Sequence, residues 1–130
     1  MQKKKIVTAG APDVMEHHTH PFAQGWRVGD LVFTGGIAAE DPITGKMVGA
    51  DIQSQARRCF ETMKAILEEG GSSLENVIKV TVFFVNFDDK ARFEPIYGEY
   101  FPVDKPVRTS AAVSYLGKDI LMEIDAIAHV

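Results

Sequence analysis

Val77-Ile78-Lys79-Val80-Thr81-Val82-Phe83-Phe84-Val85 carries apolar β-branched or aromatic residues on both of its period-2 faces, with Lys79 and Thr81 as the polar exceptions. A strand with water on one side alternates apolar and polar residues, whereas one that is apolar on both sides is an inner strand covered above and below. Upstream, Ile52, Ala56, Cys59, Phe60, Met63, Ile66 and Leu67 recur at spacings of three and four between about Asp51 and Glu69. That spacing predicts an amphipathic helix, stopped by Gly70-Gly71. Ser72-Ser73-Leu74-Glu75 has the capping-box pattern of one short helical turn. Further upstream, Gly25-Trp26-Arg27-Val28 and Leu31-Val32-Phe33-Thr34 flank Gly29-Asp30, a hairpin signature. Gly35-Gly36 lets the backbone lie close to packed chain or to a ligand, and Asp41-Pro42-Ile43-Thr44-Gly45-Lys46 has strong turn chemistry.

Downstream of the inner strand, Asp88 or Asp89 is placed to cap a second helix reaching about Phe101. An interior proline costs ~3 kcal/mol, so Pro95 predicts a loose turn to Glu94 and helix from Pro95 onward. Val107 to Ser114 and Ile120 to Val130 read as two closing strands, with Gly117-Lys118-Asp119 in the link. The order is two or three strands, helix, strand, helix, two strands. It predicts an α+β domain: one sheet with two helices packed on one face. Two helices cannot cover the second face as well, so self-association is the expected cover.

The chain has 130 residues, enough for one domain and not two. Its 45% apolar and 25% charged residues describe an ordinary globular sequence. A net charge of −4 argues against a dedicated nucleic-acid binder, and Lys3-Lys4-Lys5 reads as a solvated terminal tail. The single cysteine excludes an intramolecular disulfide and a cysteine-only zinc site. Cys59 lies on the apolar stripe of the first helix and is read as core. No apolar run approaches the ~20 residues that span a bilayer, and polar and small residues follow Ile6-Val7 where a signal peptide is apolar. These features predict a cytoplasmic domain without a membrane partner.

In the last two strands, Arg108, Ser110, Ala112 and Ser114 share one face, leaving space beside an arginine. Ile120, Met122, Ile124, Ala126 and Ala128 form an apolar face, while Glu123 and Asp125 share the other with Leu121 and Ile127. Two carboxylates in an apolar strand need partners. Spacing alone leaves two readings. One is a salt bridge from Arg108 to a carboxylate that closes a sheet or a subunit interface. The other is a guanidinium fork that receives a substrate carboxylate while Glu123 holds a water. Separately, Glu16, His18 and His20 alternate in an irregular segment over about residues 1–20. Such a set suits a metal ion, a polar loop, or histidines lining a subunit contact.

The chain resembles the Rid family of imine deaminases, also called the YjgF or L-PSP endoribonuclease-like family. The resemblance rests on Pro21-Phe22-Ala23-Gln24, Leu31-Val32-Phe33-Thr34-Gly35-Gly36, Asp41-Pro42-Ile43-Thr44-Gly45 and Ile66-Leu67-Glu68-Glu69-Gly70-Gly71. It continues through Val77 to Phe83, Tyr97-Gly98-Glu99-Tyr100-Phe101, Pro106-Val107-Arg108-Thr109-Ser110 and Met122 to Ala128. It covers about residues 21–130 of a single domain. It implies a chorismate-mutase-like fold, a barrel-like homotrimer with clefts between subunits, and hydrolysis of 2-imino or 2-enamino acids to 2-keto acids and ammonia without cofactor or metal. By resemblance, Arg108 clamps the substrate carboxylate and Glu123 positions water. Thr34 and Gly35 stand where the family binds substrate. Ser110 replaces a frequent cysteine, Phe22 a tyrosine, and Glu94 a common asparagine. Two other functions share the same residues: a non-catalytic carboxylate binder or chaperone-like regulator, which needs Arg108 but not water activation, and an endoribonuclease or translation inhibitor, for which the chain has no basic aromatic surface.

Overall fold

The computed structural model describes residues 1–12 and 22–130. Six strands, β1 (Lys3–Ile6), β2 (Gly25–Val28), β3 (Leu31–Thr34), β4 (Val77–Phe84), β5 (Val107–Ala112) and β6 (Met122–His129), form one sheet in the order β1-β2-β3-β6-β4-β5. Two helices, α1 (Ile52–Glu69) and α2 (Lys90–Tyr100), pack on it. β4 runs parallel to β5 and antiparallel to β6, and β3 is also antiparallel to β6, so β3, β4 and β5 all point one way. Both parallel connections, β3–α1–β4 and β4–α2–β5, step across the sheet in the same direction. A common crossover hand therefore puts both helices on one face.

α1 is specified locally at both ends. The Asp51 carboxylate accepts from Ser54 N at 2.8 Å and caps the helix. At the other end Ser72 N donates to Leu67 O and Gly71 N to Glu68 O, with Gly71 at φ +87. That is a Schellman termination, which favours glycine at the left-handed position. The buried stripe of α1 meets Val80, Val82 and Phe84 of β4 and the even residues Met122 to Ala128 of β6. At its centre the Phe60 ring lies 4.7 Å from Tyr100 and 6.0 Å from Phe93.

Several expectations change. Lys3-Lys4-Lys5 is not a tail and this part of the N-terminal segment is not irregular: it forms edge strand β1 against β2, with Lys3 Nζ 4.1 Å above the Trp26 ring. Lysines along an edge keep other strands from adding to it. α2 begins at Lys90, not at Pro95, and Pro95 lies inside it. The proline removes the bond to the Ala91 carbonyl, but burial of Phe93, Ile96 and Tyr97 contributes ~1.5–3 kcal/mol each and outweighs the loss. Gln53 Nε2 supplies a donor at 3.0 Å to the neighbouring Arg92 carbonyl. Ser73 precedes a single 3-10 turn, Leu74–Asn76, without the side-chain cap its sequence suggests. A bulge at Ile78 shifts the alternation of β4, so Ile78 is exposed beside Lys79.

Candidate functional site

The ladder between β3 and β6 opens after Phe33↔Ile127 and closes again at Ile37↔Ile124. Thr34, Gly35 and Gly36 therefore face only Asp125 and Ala126. The Thr34 hydroxyl replaces the missing ladder acceptor, taking Ala126 N at 3.0 Å and donating to Gly35 O at 2.9 Å. Gly35 N bonds Gln24 O at 2.9 Å. A Cβ on Gly36 would stand 3.1 Å from Glu123 Oε2, so this glycine keeps the approach to that carboxylate open. Of the two roles open to the Gly35-Gly36 pair, the first residue meets packed chain and the second borders an acid.

Beside this opening lies a cavity of about 550 Å³ whose lining includes Phe22, Gly35, Gly36, Glu40, Leu116 and Glu123. Glu123 is half-buried and accepts no hydrogen bond among the described residues. Burial raises its pKa above the ordinary carboxylate value, and the charges of Glu40 and Asp125 push the same way. Its strand neighbour Asp125 is also raised by burial, while a Thr81 hydrogen bond and Lys79 hold it back. Gln24 anchors the rim from below: its amide accepts from Thr8 N at 2.8 Å and donates to Pro12 O at 2.9 Å. Sequence reasoning missed both Glu40 and Gln24. Glu40 stands just before the strong turn signal that begins at Asp41, and the signal for Gln24 was its place at the end of the Pro21-Phe22-Ala23-Gln24 motif.

Arg108 belongs to a different cluster. It pairs with Val80, and Ser110 pairs with Val82, so both point to the helix-covered face. Its guanidinium carbon lies 4.5 Å above the Tyr97 ring and 5.9 Å from that of Phe93. Nη2 is 2.8 Å from Glu94 Oε1 and 2.9 Å from Oε2, and only the second contact has hydrogen-bond geometry. The Arg108 side chain is 17% exposed and that of Glu94 41%, so the pair sits at the rim. The Tyr97 hydroxyl is buried with no geometrically formed hydrogen bond among the described residues; burial raises its pKa, and the nearby Arg108 guanidinium opposes that rise. A salt bridge of the kind that spacing suggested is present, but its carboxylate comes from α2 and not from β6.

Register separates the two clusters. Glu123 pairs with Phe83, which pairs with Ala111, and this row has the opposite parity to Val80 and Arg108. Two strand spacings across and three residues along put the Arg108 and Glu123 backbones roughly 14 Å apart, with side chains on opposite faces. Within one chain they cannot grip the same small molecule.

The sequence profile described as Endoribonuclease L-PSP matches residues 14–130. The chain belongs to the L-PSP (YjgF, Rid) family. Among Rid-family relatives, a RutC family protein of Pyrococcus abyssi is 43% identical over 129 residues, covering 99% of this chain and 98% of that one. Escherichia coli TdcF, which carries the provisional name of a reactive intermediate deaminase, is 38% identical over 129 residues, 97% of this chain and 96% of its own. A crystal structure of TdcF with bound serine matches with a TM-score of 0.89 at 37% identity, covering 98% of each chain. YyfA of Yersinia pestis, a Rid protein, matches with a TM-score of 0.92 at 30% identity, covering 99% of this chain and all of that one. In this Rid chain the cavity brings together Phe22, Gly35 and Glu123, while Arg108, Ser110 and Glu94 gather elsewhere and the Thr34 hydroxyl is bound within the sheet. The Glu16, His18 and His20 set lies outside the described residues. Among the described residues no helix is long and apolar enough to cross a membrane.

Proposed function

We propose that the protein is a cofactor-independent hydrolase of 2-imino and 2-enamino acids, acting as a homotrimer with its sites between subunits. The observation that carries this reading is the split itself. Among the described residues, a guanidinium with an open edge sits on one sheet face, and a half-buried acid with no hydrogen bond and a raised pKa sits on the other. A site that uses both needs Arg108 from one subunit and Glu123 from the next. The half-exposed apolar residues of the uncovered sheet face, Phe33 and Leu31 among them, support such an assembly. The name and the serine-bound structure of TdcF support an amino-acid-derived substrate.

Arg108 fixes the substrate carboxylate and sets the orientation of the imine carbon. Glu123 takes a proton from the attacking water and returns it to the departing nitrogen, a task suited to an acid whose pKa burial has raised. As ammonia leaves, the hydroxyl proton of the carbinolamine passes to it by way of the same carboxylate, so the protonated imine and water become a 2-keto acid and ammonium. The partners are a small imino or keto acid and two further copies of the chain. A net charge of −4 offers nucleic acid no attraction, and a single buried cysteine suits the reducing cytoplasm.

Ammonia release from enzymatically generated imino acids tests the activity. Mixed assemblies test the site: Arg108→Ala and Glu123→Ala are each expected to be inactive, and their refolded mixture to regain part of the activity. Loss of ligand binding in Arg108→Ala, in a protein whose wild type releases no ammonia from any imino acid, would reduce it to a carboxylate binder, and full turnover in Glu123→Ala would remove Glu123 from the chemistry. A mixture as dead as its components would place the site within one chain.

A further inference from the structure

We propose that Glu94 makes the site selective for a cationic nitrogen beside the carboxylate, so that the iminium acid is held and its keto acid product is rejected. The inference rests on the deaminase reading for the identity of the ligand. Its physical basis is the arrangement of atoms around Arg108. A guanidinium has five N–H donors in a planar fork. Here Nη2 contacts both Glu94 oxygens, it is the one guanidinium nitrogen with a geometric hydrogen bond among the described residues, and the ring of Tyr97 covers one face of the plane. The Nε–Nη1 edge donates to no acceptor among the described residues and has the geometry for a bidentate carboxylate. Glu94 Oε2 takes a single hydrogen bond and has a lone pair left for a second donor, whereas Oε1 is buried against Nη2.

A ligand that satisfies this cluster must carry a carboxylate and, within a few ångströms, an N–H donor, preferably charged. A 2-imino acid in its protonated form has both on adjacent carbons. Its 2-keto product has the same carboxylate but presents a carbonyl oxygen, which cannot donate and is repelled by Glu94. The Arg108–Glu94 pair is close to neutral as a unit, so a simple monocarboxylate gains little from the arginine. One carrying a cation beside the carboxylate gains from both partners. Hydrolysis converts the first kind of ligand into the second, which favours product release.

Calorimetric titration with pyruvate and with alanine, a stable ammonium analogue of the iminium acid, tests the selection without requiring turnover. In Glu94→Gln, pyruvate is expected to bind about tenfold more tightly and alanine about tenfold more weakly than in the wild type. Glu94→Ala is expected to move both in the same directions, and thermal melts of the two variants confirm that the fold persists. Tighter binding of both ligands would mean that Glu94 merely competes for Arg108. Unchanged binding of both, or no binding by the wild type, would mean that it does not touch the ligand. Either result overturns the proposal. Reversal of preference in a protein that releases no ammonia from imino acids would sink the deaminase reading and leave the selection standing.

Discussion

The two faces of one sheet differ in everything but their strands. On the helix-covered face, Val80, Val82, Phe84, Met122 and Ile124 are fully buried and purely apolar. One residue along, on the open face, stand Thr81, Phe83, Glu123, Asp125 and Ile127, half-exposed and mixed with charge. The covered face has its partners within the chain and fixes the fold. The open face leaves apolar area uncovered and the Glu123 carboxylate without a hydrogen bond among the described residues, which is where the proposed assembly would have to act. Arg108 complicates the contrast, because it lies on the covered side but at edge strand β5, where that side reaches solvent.

The contrast breaks most visibly at Phe60. Phe60→Ala removes the ring at the centre of the aromatic cluster and is expected to cost ~3–5 kcal/mol in a denaturant titration. A loss under ~1 kcal/mol would mean the covered face is not the main source of stability. On the open face, Phe33→Glu is expected to convert an assembly of about three times 14.3 kDa to single chains in light scattering, with helix content retained. An unchanged mass would show that this face is not the interface. At the edge, Arg108→Lys keeps the charge but loses the fork, and imine hydrolysis is expected to fall by about one to two orders of magnitude with a nearly unchanged melt. Glu94 is exposed enough to be rehydrated, so a large melting drop would instead mark Arg108 as structural.

The smallest effect concerns pH. The folded state raises the pKa of Glu123 from 4.5 and that of Asp125 from 3.8, so it binds protons more tightly than the unfolded chain. The stability these groups contribute is complete below those values and is lost as pH rises through the raised folded ones. Glu123→Gln is therefore expected to raise the melting temperature slightly near neutral pH and to leave it unchanged in acid. The opposite order would mean that Glu123 gains a cationic partner in the assembly.

Much of this was legible in the chain. The Asp51 cap, the three-and-four spacing to Leu67 and the Gly70-Gly71 stop locate α1 because each is a local preference within a few residues. The same holds for the hairpin around Gly29-Asp30 and for the alternation of β6. Local rules failed where distant packing decided: Pro95 lies within α2 because three aromatic and aliphatic neighbours are buried against α1, and the lysines of β1 are ordered by pairing with β2. The cavity acid Glu40 was hidden by its place beside a strong turn signal.

The sequence by itself determined the α+β class, the extent of α1, the existence of β6, and the alternation that puts Arg108 and Glu123 on faces distinct from their own strand neighbours. It could not say whether those two faces are the same one. Alternation is a property of a single strand, whereas the relation between faces of different strands depends on register, and register is fixed only when β4 pairs with β5 on one side and β6 on the other. That pairing placed Arg108 opposite Val80 and Glu123 opposite Phe83, on the two sides of the sheet. Likewise only the packing of α2 across β5 brought Glu94, fourteen residues before Arg108 in the chain, within 2.9 Å of its guanidinium.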